Sequence, residues 1–370
     1  MRSRRRILVL NAGTATLKVA LFAVGSDDVA EVYRAEHAWN DQEGAEELVR
    51  GALDQIEEPF DAFGHRVVHG GAAFTEAVRI DPTVEETVES LVPLAPLHNA
   101  RALQVIRIAS RLRPNLPGFA MFDTAFHFNR PEESMCYALP AELVRALQLR
   151  RYGFHGIAHA ALIEELALAQ GVTPHEITAV TLQLGAGCSV CAVEGGRSIE
   201  TSMGYTPLEG LVMATRCGSI DPAIVLQLAR AGYSIDEIDT QLNRRSGLLA
   251  LSGFADMREI LAAEARGNDA ARLAVRVFVH RIVLTVGAYL TLLEGRGALV
   301  FGGGIGTHSP QIRERIANGL RAWQIELDGS LNAKSSIGCI SAAGSKPVFV
   351  FRTNEEKMIA RNVARLLPAA

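Results

Sequence analysis

Ionisable side chains that suit phosphate or carboxylate chemistry accompany several short apolar segments of this chain. Arg66 lies within residues 64–71, a strand-like segment that contains two histidines and ends in a glycine pair. Side chains alternate along a strand, so Arg66 and Val68 are predicted to share one face. A cation beside a small apolar side chain suits an anionic group with a short hydrocarbon tail. A half-buried strand with a surface arginine explains the same pattern.

Two further ionisable residues stand at the ends of predicted elements. Asp123 directly follows the apolar segment 119–122, and open α/β sheets carry their chemistry at the carboxyl ends of buried strands. His155 lies between an aromatic residue and a glycine, ahead of a predicted helix at 158–169. It is a candidate for catalysis or phosphate binding, although a lone histidine is more often structural.

A capping pattern opens the last predicted helix, at residues 353–356. Thr353 and Glu356 match a capping box, in which the glutamate accepts a hydrogen bond from the backbone at the helix start. This interpretation gives Glu356 a structural role and leaves the adjacent Glu355 free to face a site.

A glycine turn near the start of the chain could hold a phosphate. A buried-strand segment breaks at residues 11–14 and resumes as a second strand, which places Thr14, Thr16 and Lys18 on one face. Two hydroxyls and an ammonium beside a glycine turn suit a phosphate. A solvent-exposed polar face on an amphipathic hairpin explains the same spacing.

Two more strands run into glycines. Residues 178–184 lead into the turn 185–187 and are followed by a strand at 190–193, so the chain contains two similar hairpins. This repetition predicts a duplicated fold with one phosphate-binding turn in each half. Residues 298–301 lead into the glycines of 302–306 ahead of a helix, a geometry that receives phosphates or a nucleotide. Its late position and missing acidic partner argue against a dinucleotide-binding fold.

The elements that position these residues follow from periodicity and from helix start signals. Helices are expected at residues 43–56, 83–91, 99–112, 223–231, 270–293 and 311–320. Ser309 and Pro310 are expected to supply the N-cap and the first-turn proline of the last of these. Two prolines predict an irregular stretch at 93–99, and an apolar run predicts a strand at 348–351.

The composition bounds the class of protein. The chain has 370 residues, which is long for one compact core, so two domains are expected. With 48% apolar residues and a net charge of −4, it lacks the basic balance of a nucleic-acid-binding protein. The arginines within residues 2–6 are interpreted as a solvated tail, because no uninterrupted apolar region follows them.

Neither a membrane span nor a disulfide framework is predicted. The apolar stretch 282–293 is shorter than the roughly 20 residues that a span needs and is interpreted as a buried or interface helix. Five cysteines are an odd number, and reduced thiols fit a cytoplasmic protein. Cys188 and Cys191 form a single C-x-x-C and are interpreted as small core residues rather than zinc ligands.

Eight motifs occur in an order that resembles one known family. They are residues 10–18, 64–71, 96–99, 122–127, 152–156, 206–210, 215–216 and 353–356. Together they resemble the acetate kinase family, which includes propionate kinases, over nearly the whole chain. The resemblance implies an α/β fold of two duplicated actin-like, ribonuclease H-like domains with a cleft between them. It also implies a first domain of residues 1–125 plus 353–370, a second domain of residues 126–352, and a homodimer.

The resemblance further implies roles for individual residues. The catalytic residues are expected to be Arg66, Asp123, His155 and Arg216. The Mg²⁺ ligands, direct or through water, are expected to be Asn11, Asp123 and Glu355. The pocket for the acid is expected to be lined by Val68, Leu97, Phe154 and Pro207, with His98 nearby. The phosphates and adenosine of ATP are expected near Asn11, Lys18, Gly185, Gly187, Asp256, Arg258, Gly303, Gly304 and Gly306.

The chain departs from the usual motifs of the family on the phosphate side. Gln183 and Ala186 stand where the family usually has histidine and asparagine, and Thr307 and His308 stand where it usually has glutamate and asparagine. These changes affect residues expected near the phosphates and the adenine. ATP is the expected donor, and a pyrophosphate-linked member of the family is the alternative.

The predicted reaction is the reversible, Mg²⁺-dependent and direct in-line transfer of a phosphoryl group from ATP to acetate. A carboxylate is already a nucleophile at neutral pH, so the site needs several cations around two anions rather than a strong base. Val68 favours acetate over propionate only mildly, so a propionate-preferring kinase is a second alternative. A non-catalytic binding protein on the same fold is a third.

Overall fold

The computed structural model describes residues 4–13, 16–26, 28–39, 44–334 and 337–368. The chain divides into two compact units, of which the first comprises Met1–Phe128, His155–Ala161 and Asn354–Ala370. The second comprises Asn129–Phe154 and Leu162–Thr353. The expected domain boundaries differ from these units: they assigned residues 126–128 and 155–161 to the second domain and residue 353 to the first. Our predictions for Thr14, for Glu43 and for the side chain of Leu97 lie outside the described residues.

The chain contains strands and helices in the following order within each class. The strands are β1 (Arg5–Ala12), β2 (Thr16–Val24), β3 (Val29–Ala38), β4 (Ala62–Val67), β5 (Val78–Arg79), β6 (Gly118–Phe122), β7 (Ala179–Leu184), β8 (Cys188–Glu194), β9 (Arg197–Thr201), β10 (Ala298–Gly302), β11 (Gly338–Cys339) and β12 (Val348–Val350). The helices are α1 (Ala45–Asp54), α2 (Pro82–Ser90), α3 (Pro96–Leu112), α4 (Glu132–Met135), α5 (Ala141–Ala146), α6 (Gly156–Gln170), α7 (Pro222–Arg230), α8 (Ile235–Arg244), α9 (Gly247–Ser252), α10 (Met257–Ala265), α11 (Asp269–Leu292), α12 (Gly303–His308), α13 (Pro310–Gly319), α14 (Gly329–Ala333) and α15 (Glu355–Leu366).

The first unit is built on a six-stranded sheet in the order β3-β2-β1-β4-β6-β5. Strands β1, β4 and β6 are parallel, and β2 pairs antiparallel with β1. Alternate residues of β1 point to opposite faces of the sheet. Ile7 packs with Ile359 of α15, whereas Leu8 packs with α1 and α3. A Cβ on Gly64 would lie 2.6 Å from Ile359, so α15 rests directly on β4. This packing brings the start of α15 to the carboxyl ends of β1 and β4.

The sheet of the second unit repeats this arrangement in the order β11-β12-β10-β7-β8-β9. Strands β7, β10 and β12 are parallel, β8 pairs antiparallel with β7, and β9 follows β8 at the edge. Each unit therefore has a three-stranded antiparallel meander followed by parallel strands, as in β1-β2-β3 and β7-β8-β9. The predicted duplication of an actin-like α/β fold is confirmed.

Two local predictions were wrong, and a third, the helix start at Ser309 and Pro310, was right in position only. Helix α3 begins at Pro96, not at residue 99, because a proline fits the first turn of a helix. The glycines from Gly303 onward form the first turn of α12 rather than an open turn. Pro310 does begin α13, but the side chain of Ser309 makes no capping hydrogen bond.

Two further corrections bear on the site. Strand β4 ends at Val67, so the strand alternation that paired Arg66 with Val68 does not extend to Val68. The N-cap of α15 is Asn354, whose side chain accepts a hydrogen bond from the backbone N–H of Lys357. The predicted capping box is therefore absent, and Glu356 has a different role.

Helix α11 is long and apolar enough, by length and composition, to cross a membrane. It nevertheless carries Arg276 and Arg281. Its buried residues form one stripe at helical spacing: Ala271, Ala274, Val275, Phe278, Ile282, Val286, Tyr289 and Leu290. This stripe favours the predicted core helix over a membrane span.

Candidate active site

A bidentate ion pair lies at the carboxyl ends of β4 and β6. The Nε and Nη2 of Arg66 donate hydrogen bonds to the two carboxylate oxygens of Asp123, at 3.1 and 2.6 Å. Asp123 is buried, and the Arg66 side chain is 16% exposed. Burial alone would lower the pKa of Arg66, but Asp123 and Glu355 raise it above its usual value. The arginine is therefore permanently charged and fixed in direction.

Two glutamates from the start of α15 lie beside this ion pair. Glu355 lies 3.6 Å from the guanidinium of Arg66, and Glu356 accepts a 2.7 Å hydrogen bond from the side-chain amide of Asn11. Burial, together with the neighbouring carboxylates Asp123 and Glu356, raises the pKa of Glu355. Burial would also raise the pKa of Glu356, but Asn11, Lys18 and Arg34 hold it below its usual range. The structure thus brings together the predicted Asn11, Arg66, Asp123 and Glu355.

The segment that follows β4 is fixed by two side chains that sequence analysis left without a role. The amide of Asn99 accepts from the backbone N–H of His69 at 3.0 Å and donates to the carbonyl of His69 at 2.9 Å. The hydroxyl of Thr124 accepts from the N–H of Gly70 at 3.0 Å. Val68, immediately before these residues, is buried. Asn99 and Thr124 therefore hold the short segment that carries Val68.

His155 precedes α6 at a position where the backbone is tied to Asp123. The N–H of Gly156 donates to the carbonyl of Asp123 at 2.9 Å. A Cβ on Gly156 would lie 2.2 Å from that oxygen, so only glycine fits. His155 itself adopts a left-handed backbone with φ of 59°. Such strain in a non-glycine residue is common at functional sites and agrees with a functional role for this histidine.

In the second unit, the carboxyl ends of β7 and β10 and the segment after β12 are joined by a chain of hydrogen bonds. The N–H of Gly303 donates to the hydroxyl of Thr353 at 3.1 Å, and that hydroxyl donates to the side-chain oxygen of Gln183 at 2.8 Å. Gly303 has φ of 74°, and a Cβ there would lie 2.4 Å from the carbonyl of Leu184. Gly303, the first residue of α12, must therefore be a glycine for steric reasons, whether or not it contacts a ligand.

The turn between β7 and β8 is closed by backbone bonds. The N–H of Gly185 donates to the carbonyl of Gly187 at 3.1 Å, and the carbonyl of Ala186 accepts from Ala214 at 3.0 Å. Ala186 is exposed, Gly304 is exposed, and Gly306 is buried. The predicted hairpin turn is confirmed, although its binding role stays a prediction.

Arg216 is a cation without a counter-charge. Its Nη1 donates to the carbonyl of Pro207 at 3.3 Å, and it forms no ion pair with any of the described residues. Burial lowers its pKa below the usual value, which leaves the guanidinium charged at neutral pH. A partly buried arginine that lacks a carboxylate partner is suited to receive an anionic ligand.

The loop that contains Pro207 is held by a polar network missed by sequence analysis. The hydroxyl of Tyr137 accepts from the N–H of Tyr205 at 2.8 Å and donates to Glu209 at 2.5 Å. Arg151 forms an ion pair with the same glutamate. No sequence motif signals this network, because its members are scattered along the chain.

Several other predicted site residues lie outside the groups described above. Asp256 caps α10 and forms an ion pair with Arg258, whose side chain is 90% exposed. Phe154 is buried, and His98 lies in the first turn of α3. Their binding roles stay predictions. Cys188 and Cys191 are buried in β8, where burial raises the pKa of each thiol to about 12, and they behave as core residues.

The first unit places Arg66 and Asp123 at the carboxyl ends of its parallel strands, and the second places glycines at the ends of β7 and β10. An actin-like fold with charged groups and glycine turns at these positions is typical of a phosphotransferase of the kinase type. A family model described as the acetokinase family matches residues 25–361. The chain belongs to this family.

Individual relatives agree with that assignment. An acetate kinase of Chloroherpeton thalassium is 45% identical over 316 residues, which cover 83% of this chain and 76% of the relative. The crystal structure of a propionate kinase from Francisella tularensis is 35% identical, with a TM-score of 0.90, and the match covers 98% of this chain and 100% of the other. Porphyromonas gingivalis acetate kinase is 32% identical, with a TM-score of 0.89 and coverage of 98% and 100%.

Proposed function

We propose that this chain catalyses the reversible transfer of a phosphoryl group from ATP to acetate, giving acetyl phosphate and ADP. The observation that carries the proposal is the guanidinium of Arg216, which has no carboxylate partner among the described residues and is held by the carbonyl of Pro207. Membership of the acetokinase family and the names of the relatives support the choice of acid and donor.

The proposed chemistry needs charge neutralisation more than acid–base catalysis. A carboxylate oxygen of acetate attacks the γ-phosphorus, the bond from phosphorus to the β,γ-bridging oxygen breaks, and ADP leaves with that oxygen. Acetate is ionised at neutral pH, so no residue needs to remove a proton. Arg216 and Arg66 oppose the repulsion between the two anions, and His155 hydrogen-bonds the transferring group. Arginine contributions of this kind are worth on the order of 10³-fold in turnover.

The residues around Arg66 fit a magnesium ion. Among the described residues, no three His, Cys, Asp or Glu side chains are grouped as a metal site on their own. Asp123, Glu355 and the amide oxygen of Asn11 are nevertheless the hard oxygen donors that Mg²⁺ prefers, alongside water and phosphate. The Glu355 side chain is 16% exposed, and burial together with the like charges of Asp123 and Glu356 raises its pKa, so an added cation would stabilise its charged form. Bound Mg²⁺ would neutralise charge on the phosphate oxygens.

The acid pocket is proposed to be small. Val68 is buried directly after β4, and its segment has little freedom because Asn99 and Thr124 accept hydrogen bonds from the backbone N–H groups of the next two residues. A fixed, valine-sized wall admits one or two carbons and discriminates against longer acids by about 1–3 kcal/mol per methylene. The roles of Phe154 and Pro207 in binding the acid stay predictions from the family resemblance.

Pyrophosphate is the second candidate donor, favoured by one feature of the second unit. The side-chain oxygen of Gln183 is engaged by Thr353, and Ala186 offers no polar side chain at the exposed turn. The turn therefore presents mainly backbone groups to a phosphate. Such a site retains affinity for phosphates in general.

A cytoplasmic homodimer is part of the proposal. Helix α7 has no buried residues, and Ile224 and Leu226 on it are 46% and 56% exposed. Ile235 at the start of α8 is 85% exposed. An apolar surface of this kind supports self-association. Light scattering of the purified protein would give twice the mass of the chain if the proposal holds, and the mass of one chain would refute it.

The activity is tested by trapping the acyl phosphate with hydroxylamine. Purified protein, acetate and Mg²⁺ would be incubated with ATP, with pyrophosphate or with no donor. Hydroxamate formed with ATP supports the main proposal, and hydroxamate formed with pyrophosphate alone transfers it to the second donor. No hydroxamate with either donor, from folded protein supplied with acetate or propionate, contradicts both.

A further inference from the structure

The side chain of Glu356 is buried in a place where sequence analysis put only a helix cap. It is the second residue of α15, and its side chain is 7% exposed. One carboxylate oxygen accepts from the amide nitrogen of Asn11 at 2.7 Å, and the other lies 3.2 Å from the guanidinium of Arg34. A buried carboxylate with two partners is a fixed element of structure, because each partner satisfies one of its oxygens.

The charges around Asn11 select one orientation of its amide. The amide nitrogen faces Glu356 at 2.7 Å and Glu355 at 3.4 Å, whereas the amide oxygen accepts from Arg66 at 3.4 Å. Rotation of the amide by half a turn would set its oxygen against two carboxylates and its NH₂ group against a guanidinium. Both contacts would be repulsive, since a carboxylate only accepts hydrogen bonds and a guanidinium only donates them.

Arg34 holds Glu356 in this position from β3. Its guanidinium also donates to Glu31, at 2.7 and 3.0 Å, and to the side-chain oxygen of Asn354 at 3.3 Å. Asn354 is the N-cap of α15. Arg34 therefore fixes both the carboxylate and the helix end that presents Glu355 and Glu356.

We propose that Arg34 and Glu356 are positioning residues that turn the side-chain amide oxygen of Asn11 away from α15 and keep it available to Arg66 and to a divalent cation. The proposal rests on the proposed function, since it assumes that Asn11 serves that cation. Neither residue needs to touch a substrate. Their effect is transmitted through the orientation of one amide.

The experiment compares Glu356→Gln, Arg34→Met and Arg34→Lys with the wild-type protein. Arg50→Met is the control. Arg50 forms an exposed ion pair with Glu46 at 2.8 Å, and neither residue belongs to the candidate site. Two quantities are measured: the Mg²⁺ concentration for half-maximal turnover, and the rise in unfolding temperature produced by Mn²⁺ without substrates. The second measures binding without requiring activity.

We expect Glu356→Gln to raise the Mg²⁺ requirement by roughly 10–100-fold, which is the usual effect of removing an outer-shell partner of a metal ligand. We expect kcat at saturating Mg²⁺ to fall less, and the rise in unfolding temperature with Mn²⁺ to shrink in parallel. Arg34→Met should give a smaller change in the same direction, Arg34→Lys should restore part of it, and Arg50→Met should give none.

A wild-type Mg²⁺ requirement and a wild-type Mn²⁺ effect in folded Glu356→Gln would overturn the proposal. If Glu356→Gln does not fold, Arg34→Met decides, because Arg34 is 38% exposed and its loss removes no buried side chain. If the wild-type protein shows no kinase activity but is stabilised by Mn²⁺, the proposed function fails while the positioning role remains testable through the Mn²⁺ effect alone.

Discussion

The guanidinium of Arg66 is bound to Asp123 by two hydrogen bonds of 3.1 and 2.6 Å, so its charge is compensated before any substrate arrives. Arg216 donates to the carbonyl of Pro207 and, weakly, to the sulfur of Met213, and it has no carboxylate partner within the described part of the chain. Removing the first arginine leaves a buried carboxylate without its cation, whereas removing the second leaves no unpaired charge. The two residues should therefore respond differently to the same substitution.

Arg66→Ala should impair both activity and folding stability. We expect turnover to fall at least about 100-fold, because a charge beside the reacting groups is lost. We also expect the free energy of unfolding to fall by about 3–5 kcal/mol, because Asp123 keeps its burial and loses its partner. Urea unfolding and steady-state kinetics measure the two effects. Arg66→Lys is the matched control. It should recover part of the stability and little of the turnover, because an ammonium cannot make the bidentate contact. Full turnover in that variant would count against the proposed role of Arg66.

Arg216→Ala should separate activity from stability. Turnover should fall at least about 100-fold, as for Arg66, because the transferring group loses a cation. The free energy of unfolding should change by less than about 1 kcal/mol, because a long hydrogen bond to a carbonyl and a weak contact with the sulfur of Met213 are lost, but no ion pair. Wild-type turnover would remove Arg216 from the catalytic set. Large destabilisation would instead assign it a structural role.

Val68→Ala should widen the acid pocket. We expect the ratio of kcat/KM for propionate to that for acetate to rise roughly 10-fold, because the removed methyl groups leave space for one more carbon. The loss of buried apolar surface should cost about 1–2 kcal/mol of stability. Kinetics with acetate, propionate and butyrate measure the preference. An unchanged ratio in a folded variant would show that the pocket lies elsewhere.

Tyr137→Phe tests whether the network around Glu209 positions the loop that contains Pro207. The change removes an acceptor from the N–H of Tyr205 and a donor to Glu209. Each buried group left unpaired costs about 1–3 kcal/mol, so we expect a lower unfolding temperature and a raised KM for the acid. Tyr233→Phe is the matched control, because Tyr233 is 44% exposed. Equal kinetics in the two variants would confine the network to a structural role.

Buried histidines should make the protein acid-sensitive. Burial lowers the pKa of His65 and His159 to about 3 and that of His69 to about 4. Below the ordinary value of about 6.5, the unfolded chain binds protons that the folded chain does not, so stability falls as the pH falls. Each such histidine lowers the free energy of unfolding by up to about 1.4 kcal/mol for every pH unit between its ordinary pKa and its lowered pKa.

His65→Leu should weaken this pH dependence, because the unfolded chain then takes up one proton fewer. The slope of unfolding free energy against pH, between about pH 6 and pH 4, should then be shallower than in the wild type. Urea titrations at several pH values supply the slope. An identical slope in both proteins would show that His65 is not buried in its neutral form.

The two hairpins and the ends of the parallel strands could be predicted because local signals determine them. An apolar run interrupted by glycine at 11–14 and at 185–187 gives β1-β2 and β7-β8, and Asp123 follows β6 as expected. Each of these features depends on residues close in the sequence. Strand β3, with polar residues on its exposed side, has no comparable apolar signal and was missed.

Glu356 shows why the rest of the site could not be predicted. Its spacing from Thr353 fits a capping box, yet the hydroxyl of Thr353 is bonded to Gln183 and Gly303, and Glu356 is bonded to Asn11 and Arg34. A local pattern is overridden when partners distant in the sequence offer stronger interactions, here a charge-assisted hydrogen bond and an ion pair. Such partners become visible only when the chain is folded.

The most direct test of the central claim follows the fate of the acetate oxygen. The protein would be incubated with ATP, Mg²⁺ and ¹⁸O-labelled acetate, and the acetyl phosphate would be observed by ³¹P NMR. The account predicts that acetyl phosphate and ADP form together, with ¹⁸O in the bridge between carbon and phosphorus, because the carboxylate itself attacks the phosphorus. Absence of acetyl phosphate, or acetyl phosphate with an unlabelled bridge, would contradict it.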